Sequence, residues 1–146
     1  MIDETVRQVL KKHLVRDEGW KRKLYKDTQG VWTIGCGRNL IDNGVSDMEA
    51  EMLLNNDIDQ AEKSVLAIFG SDFYSWAEAR QLALLNMAFN LGVNGLKTFT
   101  RMIAAIKDNN WDKAAQCALE SLWAKQVKGR AVRIAAMMKD GVCVSD

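Results

Sequence analysis

Two acidic side chains, Glu18 and Asp27, lie nine residues apart, and Thr33 follows six residues after the second acid. Hydrolysis of a glycosidic bond uses such a pair, because one carboxyl group protonates the leaving oxygen while the other activates water from the opposite face. Glu18 ends a predicted helix, where a negative charge opposes the helix dipole. Asp27 lies in a predicted turn, which Asp also favours for structural reasons. Spacing alone therefore leaves a catalytic and a structural interpretation open.

The helix that ends at Glu18 is predicted from its apolar spacing. Apolar side chains recur at helical intervals over residues 4–16, which indicates an amphipathic helix ending near Gly19. His13 lies on the apolar stripe of this helix. A lone histidine in that position is expected to be a packed core residue and not a ligand.

The segment that contains Asp27 and Thr33 has the pattern of a small sheet. Residues 23–25 and 31–34 are short β-prone runs, and residues 27–30 between them form a turn signal with glycine last. Residues 38–40 are expected to continue the sheet, and residues 42–44 to form a further turn. The pattern predicts a small antiparallel sheet that is solvated on one face.

The rest of the chain is predicted to be helical. Ser46 and Glu49 have the spacing of a capping box, which predicts a helix from there to about Phe69. A helix of this length is suited to connecting two lobes. The predicted helical segments that follow are residues 77–91, 97–107, 111–121, 122–127 and 130–139.

These elements predict an α+β fold and one domain over residues 1–146. The small β lobe is expected at about 18–45, the connecting helix at about 46–69 and the helical lobe at about 70–146. The N-terminal helix, residues 3–18, is expected to pack on the helical lobe. The gap between two such lobes is a natural place for a binding cleft.

Composition narrows the classes of protein that fit. The chain has 146 residues, 48% of them hydrophobic, which is typical of a globular domain. Its net charge is +1, so its overall electrostatic field is not expected to attract nucleic acid. Cys36, Cys117 and Cys143 form no paired spacing, so a disulfide framework is not expected. A single histidine leaves little for a Cys/His zinc site. The N-terminus has no signal-peptide pattern, and no apolar run is long enough to span a bilayer.

The run from Glu18 to Gly37 resembles the catalytic region of the T4-type phage lysozymes, glycoside hydrolase family 24. The matching pattern is Glu-Gly-x5-Tyr-Lys-Asp-Thr-x-Gly-x-x-Thr-Ile-Gly-x-Gly. The resemblance extends over nearly the whole chain, and later landmarks follow in the family's order. They are Ala79, Arg80, Asn86, Met87, Phe89, Asn90, Gly92, Phe99, Trp111, Asp112, Ala114, Ala115, Trp123, Gln126, Arg130 and Arg133.

The resemblance implies a role for each residue of the opening motif. Glu18 would be the general acid, Asp27 would activate the attacking water from the other face, and Thr33 would hold that water. The family is taken to invert, which requires roughly 6.5–9.5 Å between the two carboxyl groups. The resemblance also implies an ion pair between Glu18 and Arg130.

Arg38 departs from the pattern of the family. Many relatives have histidine at this place, paired with an aspartate of the long helix that corresponds to Asp57 here. The sequence therefore predicts an Arg38–Asp57 pair, and its arginine stays charged at all working pH values.

Five further positions match residues near the sugar-binding cleft of the family: Asn39, Asn86, Phe89, Asn90 and Gln126. The amide side chains among them suit N-acetyl and hydroxyl groups, because each offers both donors and acceptors. A structural role of comparable weight stays open for each. Trp111 and Trp123 lie at helical spacing among Leu and Ala and are expected in the core.

The function that the resemblance implies is that of an endolysin. Such an enzyme hydrolyses the β-1,4 bond between N-acetylmuramic acid and N-acetylglucosamine in bacterial peptidoglycan, without a cofactor or metal. A monomer without stable membrane insertion or nucleic-acid binding is expected. The protein would stay in the host cytoplasm until a separate holin-type protein releases it to the cell wall in the periplasm.

Three alternatives stay open at this point. A non-catalytic wall-binding module would keep the fold without the chemistry. A lytic transglycosylase would need Glu18 alone and would yield an anhydro-sugar. A helical nucleic-acid binder would use residues 77–146, where ten Lys and Arg against six Asp and Glu give a net charge of +4.

Overall fold

Helices and one small antiparallel sheet form the fold, which confirms the predicted α+β class. The computed structural model describes residues 1–144. It divides into unit 1, Met1–Glu51, and unit 2, the remainder from Met52 onward. The predicted extent of a single domain with two lobes stays a prediction.

The first helix, α1, spans Glu4–Glu18. The side chain of Asp3 caps its start by accepting from the backbone N–H of Thr5. Gly19 ends it with a φ of 82°. None of the residues Glu4–Glu18 is buried, so the expected packing of His13 in a core is wrong. The apolar stripe predicts a buried face, but α1 makes little contact with the other elements of unit 1. Its packing on the helical lobe stays a prediction.

The sheet consists of β1 (Lys21–Lys26), β2 (Trp32–Gly35) and β3 (Arg38–Asn39), in that order and antiparallel throughout. Tyr25 is directly opposite Thr33, and Thr33 is directly opposite Asn39. Because residues paired in this way share a face, these three side chains form one row across the sheet. Within β2 the pattern alternates, with Thr33 buried and its neighbour Trp32 exposed.

A short helix, α2, spans Leu40–Asn43 where the sequence predicts the end of a strand and a turn. Asn39 caps it, because its side-chain oxygen accepts from the backbone N–H groups of Ile41 and Asp42 at 3.0 and 3.1 Å. This local capping turns the chain from strand to helix at Leu40, two residues after β3 begins.

The long helix α3 spans Asp47–Phe69, close to its predicted bounds. The capping box is confirmed, since Glu49 N–H donates to Ser46 Oγ (3.2 Å) and Ser46 N–H donates to Glu49 Oε2 (2.8 Å). Leu54, Ile58, Ala61 and Val65 follow one another at helical spacing and form an apolar stripe on α3, of which Ala61 and Val65 are buried. Leu54 and Ile58 of the same stripe are exposed.

Unit 2 begins within α3 and continues as a bundle. A 3₁₀ helix, Gly70–Ser75, is followed by α4 (Glu78–Lys97), α5 (Thr100–Lys107), α6 (Trp111–Leu119), α7 (Leu122–Val127) and α8 (Gly129–Asp140). The break predicted at residues 92–95 is a kink inside α4, where Gly92 has a φ of 68°. The chain continues as helix beyond it.

The core of unit 2 lies where α4, α6 and α8 pack together. Its largest fully buried side chains are Phe73, Leu84, Met87, Leu96, Met102, Ile134, Met138 and Val65. Trp111 and Trp123 are buried, as predicted. Within residues 1–144, no helix has the length and apolar character needed to cross a bilayer.

Candidate active site

Asp27 closes the turn between β1 and β2. Its Oδ1 accepts from the backbone N–H groups of Gln29 (2.8 Å) and Val31 (2.9 Å). Its own N–H donates to the carbonyl oxygen of Val31 at 2.9 Å, and its carbonyl accepts from Gly30 at 3.0 Å. The turn chemistry that favours Asp is therefore present. Both backbone amides donate to Oδ1. Oδ2 is therefore the carboxylate oxygen that remains to accept a proton from a bound molecule.

Thr33 lies near the Asp27 turn along the sheet. The register pairs Thr33 with Tyr25, and Asp27 follows two residues after Tyr25, just beyond the end of β1. The Thr33 hydroxyl donates to the carbonyl oxygen of Val31 at 2.9 Å. With its one proton used in this bond, Oγ1 faces any further partner as an acceptor only.

Glu18, the last residue of α1, is exposed and lies against the turn that joins β2 to β3. Its Oε2 is 2.9 Å from the position that a Cβ atom would occupy at Gly37. The strand between Thr33 and Gly35 is roughly 7 Å long at the ordinary rise of a β-strand. Glu18 thus meets one end of β2, while the Asp27 turn lies at the other end. Unit 1 brings all three predicted catalytic residues to one sheet.

Arg38 lies on the opposite face, since it pairs with Ile34. Its Nη1 donates to Glu49 Oε2 at 2.7 Å and to the carbonyl oxygen of Gly44 at 3.1 Å. The bond from the Ser46 amide, together with that from Arg38, holds the pKa of the Glu49 carboxyl below its usual value. This partner of Arg38 was not predicted from the sequence, although the capping box placed Glu49 nearby. The pair with Asp57, a residue of unit 2, stays a prediction.

A family of known proteins, the phage lysozymes, matches residues 15–139 of this chain, a range that includes Glu18, Asp27 and Thr33.

The chain belongs to the phage lysozyme family.

Individual relatives of this phage lysozyme chain are similar at modest identity. The pre-baseplate central spike protein Gp5 of Enterobacteria phage T4 is 30% identical over 166 aligned positions, which cover 95% of this chain and 29% of that protein. The chain thus spans less than a third of the spike protein. The probable T4-type lysozyme 1 of Dictyostelium discoideum is 28% identical over 90% of this chain and 94% of that protein. The probable T4-type lysozyme 2 of the same organism is 26% identical over the same shares. The family and these relatives support a lysozyme-class glycosidase with a lysozyme-like fold.

In this member of the phage lysozyme family, the asparagines predicted to bind sugar form hydrogen bonds with other residues of the protein. Besides the α2 amides, Asn39 donates to Asp42 Oδ2 at 2.7 Å. In unit 2, Arg130 donates through Nε to Asn86 Oδ1 at 2.8 Å and through Nη2 to the Asn86 carbonyl at 3.2 Å. The buried Trp123 donates its indole N–H to Asn90 Oδ1 at 2.7 Å. Their sugar-binding roles, and the pairing of Arg130 with Glu18, stay predictions.

Phe89 and Gln126 lie on surfaces of unit 2 that are open to solvent. Phe89 is exposed and lines a depression of about 280 Å³ together with Asp57 and Gly92. Gln126 lines a mainly apolar groove of about 380 Å³ with Phe99. Both side chains are accessible to a ligand, and their predicted roles stay predictions.

Metal-ligating side chains are dispersed in the part of the chain that the structure describes, where no group of three or more His, Cys, Asp or Glu could hold an ion. Cys36 and Cys117 are partly exposed, and Cys143 is exposed; all three are free thiols.

Proposed function

We propose that this chain hydrolyses the β-1,4 bond between N-acetylmuramic acid and N-acetylglucosamine in bacterial peptidoglycan. The observation that supports this most directly is that the side chains of Asp27 and Thr33 both bond to the backbone of the same residue, Val31. In the proposed site, a carboxylate oxygen of Asp27 and the hydroxyl oxygen of Thr33 act together as two acceptors. A water molecule bound to both would present its lone pair outward. Membership of the phage lysozyme family and similarity to T4-type lysozymes add to this support.

The proposed reaction is a single displacement at the anomeric carbon. Glu18 donates its proton to the glycosidic oxygen as the bond from that oxygen to C1 breaks. Water attacks C1 from the opposite face and passes one proton to Oδ2 of Asp27, while its other hydrogen is bound by Thr33 Oγ1. One sugar leaves with a free hydroxyl and the other with a reducing end. Exchange with solvent returns the proton from Asp27 to Glu18.

The other predicted roles belong to the same proposal. Arg130 supports Glu18, and Arg38 and Asp57 stabilise the protein away from the reacting atoms. The sugar chain contacts Asn39, Asn86, Phe89, Asn90 and Gln126. The protein works as a monomer on the cell wall in the periplasm and causes lysis of the host after a holin-type protein releases it from the cytoplasm.

The test compares the wild type with Glu18→Gln on permeabilised Gram-negative cells and on purified peptidoglycan. We expect clearing by the wild type alone, because Gln has the shape of Glu without its proton. Mass spectrometry of the soluble products should show reducing ends at N-acetylmuramic acid. Anhydro-muramic products would instead show that the reaction is transglycosylation and not hydrolysis. Equal clearing by both proteins would remove Glu18 from the mechanism.

A second setting for the same chemistry is the tip of a phage particle. The similarity to the central spike protein Gp5 over 95% of this chain favours a wall-cutting module carried by the virion. Sedimentation of a producing culture's lysate distinguishes the two settings. A virion module would be detected by antibody in the particle pellet, whereas a free lysis enzyme would stay in the supernatant.

A further inference from the structure

We infer that Gly37 is a positioning residue for Glu18. Because glycine has no side chain, it leaves a space, here called the seat, in which the carboxyl group of Glu18 lies. A Cβ atom built on Gly37 would lie 2.9 Å from Oε2, 3.2 Å from Cδ and 3.3 Å from Cγ of Glu18. These distances are shorter than the 3.5–4.0 Å at which non-bonded carbon atoms attract. The outer part of the Glu18 side chain therefore occupies the space that any other residue at position 37 would fill.

The contact is formed entirely within unit 1. Glu18 leaves the end of α1, where Gly19 turns the chain toward β1. Gly37 immediately precedes β3, in the turn that follows β2. The register of the sheet fixes this turn relative to Thr33, since Thr33 pairs with Asn39 two residues after Gly37. The seat therefore sets the place of Glu18 relative to the strand that holds Thr33.

The consequence of a side chain at position 37 follows from which of the two partners can move. The backbone of Gly37 is constrained by sheet pairing on one side, whereas the Glu18 side chain is long, exposed and flexible. A methyl group would displace the carboxyl at little conformational cost. Displacement of a reacting group by about 1 Å is enough to lose roughly 10²-fold in rate.

Gly35 provides a matched control two residues away. Gly35 and Gly37 both have a positive φ, 67° and 72°, so alanine is strained at either position. At Gly35, among the described residues, no heavy atom beyond its chain neighbours lies within 4 Å of the added Cβ. Alanine at Gly35 therefore introduces the backbone strain without touching Glu18.

The inference rests on the proposed function for its effect on rate, but not for the contact itself. We expect Gly35→Ala and Gly37→Ala to lower the urea midpoint by similar amounts. On soluble peptidoglycan fragments, Gly37→Ala should lose about 10²-fold in kcat with KM within about threefold, whereas Gly35→Ala should keep kcat within about threefold of the wild type. The 13Cδ resonance of Glu18, assigned by its loss in Glu18→Gln, should move in Gly37→Ala and stay in Gly35→Ala.

Each result has a definite meaning. If Glu18→Gln is inactive, equal kcat in the two alanine variants would overturn the inference. An unmoved Glu18 resonance in Gly37→Ala would overturn it in every case. Full activity of Glu18→Gln with a displaced resonance would remove the proposed function and leave the seat in place. If an alanine variant does not fold, Gly37→Asn and Gly35→Asn repeat the comparison, because Asn tolerates positive φ better and still carries a Cβ.

Discussion

Thr33 and Asp27 are both bonded to Val31, one through the Val31 carbonyl oxygen and the other through the Val31 N–H and the same carbonyl. The side chain that would hold the water and the side chain that would deprotonate it thus share one backbone support. Substitution of each residue in turn tests the two roles separately.

Thr33→Val should lose about 10²-fold in kcat, because the water loses one of its two acceptors. The free energy of unfolding should fall by less than about 1 kcal/mol, since the Val31 carbonyl keeps its bond from Asp27 N–H. Thr33→Ser retains the hydroxyl, and its activity should stay within about tenfold of the wild type. A tenfold change in rate corresponds roughly to the free energy of one weak hydrogen bond. Turnover of soluble fragments and urea unfolding measure both effects. Equal activity of the Val and Ser variants would exclude a role for the hydroxyl.

Asp27→Asn should separate the structural role of the side chain in the turn from its proposed role as a base. Asn keeps an oxygen for the Gln29 and Val31 amides, so the stability of the variant should remain close to that of the wild type. It cannot take a proton from water, so hydrolysis should be lost. Asp27→Ala should lose activity and also about 1–2 kcal/mol of stability. An active Asn variant would transfer the role of base to another group.

Glu49 should make stability depend on acid. Its folded pKa lies below the ordinary value, so the stabilisation is complete above pH 4.5 or so and is lost as pH falls through the lower folded pKa. Urea midpoints of the wild type and Glu49→Gln should differ by a constant amount at neutral pH and converge below about pH 4.5. Glu51→Gln, two residues along α3 at an exposed position, is the control. A difference that persists unchanged at pH 3 would contradict the assignment.

Arg38→His should introduce a titration that the wild type lacks. A histidine beside Glu49 has its pKa raised above roughly 6.5, so its stabilising contact is present below that pH and is lost as pH rises toward 8. The difference in urea midpoint between wild type and variant should increase with pH over this range. Adding Glu49→Gln to the variant should remove this dependence on pH. If Asp57→Asn removes it instead, the predicted pair with Asp57 is the one that operates.

Asn90→Ala should reduce stability through the core. Its side-chain oxygen accepts from the indole N–H of the buried Trp123, and loss of that acceptor strands a buried donor at a cost of about 1–3 kcal/mol. Asn90→Asp keeps the acceptor and should restore most of the loss. If Asn90 binds sugar alone, Asn90→Ala would raise KM and leave the urea midpoint unchanged.

Elements that depend on neighbouring residues in sequence were predictable. The bounds of α1, the hairpin around Asp27 and the Ser46–Glu49 box follow from side chains within a few positions of one another. The strand-to-helix change at Asn39 was missed because residues 38–40 were predicted as strand, whereas the Asn39 side chain caps a helix that begins at Leu40.

Contacts between distant segments were not predictable in the same way. The Glu18–Gly37 contact and the pairing of Arg38 with Glu49 depend on how the turns bring separate segments together. The apolar stripe that includes His13 shows that a face is apolar, but it does not identify what packs on that face. The catalytic assignment itself came from resemblance, since nine residues between two acids do not fix a distance.

The turn at Asp27 also bears on how this protein would respond to engineering. Active-site residues commonly cost stability, so selection for heat resistance tends to erode activity. Asp27 is an exception, because the carboxylate that would accept the proton also ties down two backbone amides of its own hairpin. A screen for thermostable variants would therefore retain it without any selection for lysis. Gly37 should be retained in the same screen for a different reason, because its φ of 72° disfavours any residue with a side chain.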